Sequence, residues 1–120
     1  MDIETAVAAA VAAEMRPDAG AEALKVMAVL ARSFYRSQGR RHPAYDFCDT
    51  THCQFHREAA SAEHPATAAA EATRDIILSY RDAAFAPMYS SSCGGRTRTA
   101  ESVGLRSDPY PYFDVDCSAC

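Results

Sequence analysis

The run Cys48, Asp49, Thr50, Thr51, His52, Cys53 gathers three soft ligands into six residues, and a run so arranged belongs to neither helix nor strand. His52 and Cys53 are adjacent, so both side chains reach one ion only from a loop or turn. Asp49, Thr50 and Thr51 are turn-forming residues that fold such a loop back on itself. His42, upstream of the run, supplies a fourth ligand, and His56 is a weaker candidate for the same metal. Four protein ligands would close a structural site of the kind zinc prefers. The spacing is not that of paired CxxC knuckles, so unpaired or disulfide-bonded cysteines stand as the alternative. With five cysteines in the chain, the odd count favours metal binding or a free thiol over a fully paired disulfide framework.

Two helices are expected before this loop. Asp2 caps the first, whose apolar face carries Ile3, Val7, Ala10 and Val11, and Pro17 ends it near Met15 or Arg16. At 100° per residue Glu14 lies only about 20° from Ile3, so its carboxylate is expected to face the core or a cleft. There the helix dipole and desolvation would both raise its pKa, as a general acid requires. Early fraying, with Glu14 paired to Arg16 or Lys25 at the surface, is the competing reading. Ala21 to Gln38 forms the second helix, with Gly39 as its C-cap. Its middle, Ala23 to Ala31, is apolar almost all round and is expected to be buried on most sides. Lys25, Arg32 and Arg36 fall on one cationic stripe, either a solvated face or the wall of an anion- or glycan-binding cleft.

Beyond the loop, Glu58 to Glu63 reads as a polar connector. Pro65 opens a third helix, Ala66 to about Asp75. The period then changes: Ile76 to Tyr80 and Phe85 to Ser90 are expected to form a hairpin about a turn at Arg81 to Ala84. Ser90 to Gly95 follow with hydroxyls and glycines suited to close approach of a ligand, or to a plain loop. Tyr110, Tyr112 and Phe113 either stack on sugars or pack locally. Cys117 and Cys120 close the sequence as a CxxC, readable as a metal pair, a redox pair or a staple.

At 120 residues the expectation is one α+β domain over 1–120, its N-terminal helices packed with a small β-hairpin and a metal-stabilised loop. A net charge of −4 gives no support to nucleic-acid binding, because Arg96 and Arg98 are too few to neutralise a phosphate backbone. Glu14, Lys25 and Arg32 interrupt the apolar stretches well short of the roughly 20 residues a membrane span needs. Acids at Asp2 and Glu4 stand where a secretory signal would be basic, so the chain is expected to be cytoplasmic or to have lost a leader. No GxGxxG, GxSxG or HExxH motif occurs, which removes the common nucleotide, serine-hydrolase and zincin readings.

Four blocks occur in order: VAAEM (Val11 to Met15), EALKVMAVLARSFY (Glu22 to Tyr35), CDTTHCQ (Cys48 to Gln54) and YSSSCGGRT (Tyr89 to Thr97). Together they resemble the stage II sporulation protein D family, the SpoIID/LytB domain, over nearly the whole chain. The resemblance implies a lytic transglycosylase acting on peptidoglycan glycan strands stripped of stem peptides, or else a noncatalytic peptidoglycan-binding or amidase-enhancer module. It places the family's catalytic glutamate on Glu14 and its substrate contacts on Lys25, Arg32, Tyr89, Ser91 and Ser92. It places a structural zinc on His42, Cys48, His52 and Cys53, and implies an extracytoplasmic setting, with other cell-wall hydrolases as further partners. Ser90 stands where relatives often carry histidine before SSCGG. A transglycosylase of this kind works with one carboxyl, where hydrolytic glycosidases normally use two.

Overall fold

The computed structural model describes residues 1–56, 60–90 and 92–118. The chain divides into two compact units, Met1–Pro87 and Met88–Cys120. Helices and an antiparallel hairpin together make it α+β. Among the described residues no helix is long and apolar enough to cross a membrane.

In the first unit three helices, α1 (Ile3–Glu14), α2 (Ala21–Gln38) and α3 (Pro65–Ala72), each pack on the other two. Asp2 starts α1 as expected, its carboxylate accepting from the amides of Glu4 and Thr5 at 3.1 Å each. Extended backbone at Met15 ends it, and Pro17 follows. Gly39, at φ +59°, ends α2, and His64 caps α3 by accepting from the Ala66 amide. The core joins Val7 and Val11 of α1 to Leu24, Met27, Ala28 and Ala31 of α2 and to Ala66, Ala69 and Ala70 of α3. Alanine dominates these contacts, so helix backbones approach closely and each valine or leucine contributes about 1.5–3 kcal/mol of burial. The middle of α2 is less enclosed than expected: Ala23 and Val26 face solvent.

A polar group sits in this core. Arg32, wholly buried, donates from Nε to Glu4 Oε1 at 3.0 Å and from Nη2 to Glu4 Oε2 at 2.5 Å. The same guanidinium donates to the carbonyls of Ala70 at 2.9 Å and Ile76 at 3.1 Å. Those carbonyls lie at and just beyond the end of α3, where backbone oxygens lack intrahelical partners and the helix dipole favours a cation. The Thr73 hydroxyl bonds back to Ala69 O at 2.8 Å. With its end held this way, α3 stops at Ala72 rather than continuing to Asp75, which adopts φ +64°.

The hairpin is present but shorter and earlier than expected. β1 (Ser79–Tyr80) pairs antiparallel with β2 (Ala83–Ala84), Ser79 opposite Ala84 and Tyr80 opposite Ala83. Arg81 at φ +49° and Asp82 at φ +62° make the two-residue turn, the left-handed pair a tight hairpin demands even without glycine. Phe85 to Ser90 therefore lies beyond the pairing, and Ile76 to Leu78 reaches α2 through the Leu78 amide, which donates to Ser33 Oγ at 2.8 Å.

The second unit has little regular structure. An isolated bridge joins Arg96 and Asp116, and the Arg96 guanidinium holds Asp114 at 2.8 Å and Asp116 at 3.1 Å. One 3-10 turn spans Glu101–Val103. Tyr110, Tyr112 and Phe113 pack on one another, with centroids 5.0–6.1 Å apart.

Candidate metal centre and carboxylate

After Gly39 the chain runs through a loop anchored by Phe47, whose ring meets Tyr35 of α2 edge-on at 4.9 Å and lies 6.3 Å from Phe34. The Arg41 amide donates to Asp46 O at 2.9 Å, folding the loop back. Tyr45 stacks on the His42 ring at 4.4 Å. A second turn closes where the Cys53 amide donates to Thr50 O at 3.1 Å. Together these bring His42, Cys48, His52 and Cys53 into one cluster, their ligand atoms all within 4.8 Å of one another. His42 Nε2 lies 3.2 Å from Cys53 Sγ, and His52 Nδ1 lies 3.4 Å from Cys53 Sγ and 3.7 Å from Cys48 Sγ. In a tetrahedral zinc site, nitrogen and sulfur ligands are separated by about 3.5 Å, the edge implied by Zn–N and Zn–S bonds of ~2.0 and ~2.3 Å. The donor set and its spacing fit that ion. His56 is not in the cluster.

The electrostatics suit a thiolate ligand. The Cys48 thiol is pulled down to about 5, first by the Thr50 hydroxyl 3.2 Å away, then by the Thr50 amide, His52 and Cys53. Tyr35, beneath the loop, is pushed up to about 12 by burial and secondarily by Cys53. Its buried hydroxyl has no hydrogen-bond partner among the described residues. A concavity of about 900 Å³ lies beside the loop, lined in part by Tyr35, Arg36, Tyr45, Phe47, Cys48 and His56. Glu14 is not among its lining residues, so this hollow and the expected acid do not coincide.

Glu14 is exposed, contrary to the expectation of a sheltered carboxylate. Full burial along α1 stops at Val11; Ala12 and Met15 still pack on the core in part, while Glu14, the last residue of the helix, faces solvent. Its Oε1 accepts from the Gln54 side-chain amide at 3.3 Å. The surface pairs imagined for it are taken otherwise: Arg16 holds Asp18 at 2.9 Å and Lys25 holds Glu22 at 2.7 Å.

Arg32 also departs from expectation. No solvated stripe runs through it, because the guanidinium is enclosed and committed to Glu4 and the end of α3, so it is unavailable to a substrate. Lys25 stays half-exposed. In the second unit Tyr89 and Ser92 are exposed and line a concavity of about 630 Å³ with Cys93, Arg98, Phe113 and Cys117. Ser91 and Cys120 lie outside the described residues. Glu4 was passed over in the sequence, although it shares the helical face of Val7 and Val11 and that spacing marks it as a buried carboxylate in need of a cation.

A family model described as a stage II sporulation protein matches residues 1–80, a span that contains the three helices, the metal cluster and Glu14. The chain is similar to an uncharacterized protein of Brachyspira hyodysenteriae, at 31% identity over 113 residues, covering 92% of this chain and 31% of that protein. It thus spans about a third of the length of the curated relative it matches. No solved structure matches it.

Proposed function

The chain belongs to the SpoIID family of stage II sporulation proteins, a family linked to cell-wall degradation, and from that premise we infer that it is a lytic transglycosylase domain acting on peptidoglycan glycan strands. The observation that carries this reading is Glu14: an accessible carboxyl at the end of α1, held by an amide from the loop that also carries the metal cluster. Accessibility suits a polymeric substrate. A glycan strand laid over the helix end would itself displace water from around the carboxyl.

In this mechanism the Glu14 carboxylic acid protonates the glycosidic oxygen as the bond to C1 of the muramic sugar breaks. The sugar's own C6 hydroxyl then attacks C1, and its proton returns to the Glu14 carboxylate. The products are a free hydroxyl on the leaving sugar and a 1,6-anhydro end. One carboxyl thus serves both steps, with no second carboxylate needed as a base to activate water or as a nucleophile. Lys25, released from Glu22, is proposed to orient the strand on the first unit, and Tyr89, Ser91 and Ser92 are separately proposed as glycan contacts of the second unit. His42, Cys48, His52 and Cys53 would hold one zinc ion, which supplies rigidity because four protein ligands leave no open position. The setting that follows is extracytoplasmic, with denuded glycan as partner and other wall hydrolases acting on the same polymer.

The exposure of Glu14 also favours a second reading, a noncatalytic peptidoglycan-binding or amidase-enhancing module that binds the glycan without cleaving it. Incubation with purified denuded strands separates the two. Turnover with loss of strand length supports the enzyme, whereas saturable binding with unchanged strand length supports the module.

A further inference from the structure

Gln54 follows directly on Cys53, and it crosses from the metal loop to the end of α1. Its Nε2 donates to Glu14 Oε1 at 3.3 Å, between residues 40 positions apart. Cys53 is buried, and its amide closes the turn on Thr50 O at 3.1 Å, so the backbone from which the Gln54 side chain departs is fixed by the ligand cluster. We propose that Gln54 is a positioning residue through which the metal loop sets the orientation of Glu14, a role that rests on the reading of Glu14 as the acid.

Chemistry favours an amide here. Lysine or arginine would pin the carboxylate in its charged form and oppose its action as an acid. Glutamine carries a donor and an acceptor on one terminal amide, and rotation about its last side-chain bond exchanges them. Its N–H groups hold the carboxylate, and after the amide turns over, its oxygen accepts from the carboxylic acid. One neutral side chain therefore keeps the carboxyl in place before and after each proton transfer without favouring either state by a full charge. Glu14 ends its helix and is exposed, so without such a tether its rotamers would spread and the geometry for protonating a glycosidic oxygen would be lost.

The test uses the zinc-loaded chain and the same chain loaded with cadmium, a larger ion with the same taste for thiolate and imidazole. Carbon-detected NMR would follow the Glu14 carboxyl resonance. The expected result is a shift on exchange of zinc for cadmium in the wild type that is absent in Gln54→Ala. A carboxyl resonance that ignores the exchange in the wild type, or moves equally in Gln54→Ala, overturns the proposal. On denuded glycan, Gln54→Ala with full zinc content is expected to lose about ten- to hundredfold in kcat with KM within about twofold. A loss confined to KM, or unchanged kcat, also overturns it. If the wild type cleaves nothing, the transglycosylase reading fails by itself, and the NMR comparison still decides whether the loop orients Glu14.

Discussion

Arg32 and Glu4 meet in a two-pronged ion pair inside the helical core, at 3.0 Å and 2.5 Å, with side chains 1% and 4% exposed. Removing one partner leaves the other charged and enclosed. Glu4→Ala or Arg32→Ala should therefore cost about 3–5 kcal/mol of stability by denaturant unfolding, while replacing both with apolar residues of similar volume should cost far less. Arg32→Ala also frees the carbonyls of Ala70 and Ile76, so it should be the more damaging single change.

Tyr35 carries its hydroxyl in the same region without a partner among the described residues. Deleting that oxygen removes the desolvation penalty of an unsatisfied group and keeps the ring's contacts with Phe34 and Phe47. Tyr35→Phe should raise stability by about 1 kcal/mol. A loss of stability in thermal unfolding would show that the hydroxyl has a partner in solution.

The cap on α1 has a pH signature. The Thr5 hydroxyl and amide hold the Asp2 carboxyl below its usual value. Its contribution is thus fully present above about pH 4, where the unfolded carboxyl is ionised, and is lost as pH falls through the lower folded value. Wild type should melt above Asp2→Ala at pH 7, and the gap should close on acidification. A gap constant down to pH 2 would contradict the capping role.

Metal removal should act locally first. Chelation is expected to raise hydrogen exchange in the segment from His42 to Cys53 before α1, α2 and α3 respond, and Cys53→Ala should abolish zinc binding. If chelation stopped glycan cleavage without loosening that segment, the metal would be catalytic.

Local signals were legible and distant partnerships were not. Asp2, Pro17 and Gly39 punctuate the first two helices where capping chemistry and proline sterics place them, and α2 runs from Ala21 to Gln38 as its pattern predicts. A turn at Asp49 to Thr51 brings Cys48, His52 and Cys53 together, and the fold of the loop between Arg41 and Asp46 adds His42. The wheel position of Glu14 is a poor guide to its burial, because full enclosure of α1 ends at Val11 and beyond it Ala12 and Met15 pack only partly on the core. Local pattern puts Arg32 on a cationic stripe, solvated or glycan-binding, because its partner Glu4 lies 28 residues away, a pairing no local window contains. The hairpin turns earlier than the apolar pattern predicts because Arg81 and Asp82 take left-handed backbone without glycine to announce it.

Mass spectrometry of the fragments released from denuded glycan by wild type and Glu14→Gln, run side by side, tests the enzymatic account most directly. The wild type is expected to release 1,6-anhydro-ended fragments, and the variant, which keeps its fold, to lose about 10²–10⁴-fold or more in rate. Anhydro-ended products formed equally well by Glu14→Gln, or none from the zinc-loaded wild type, would contradict the enzymatic account.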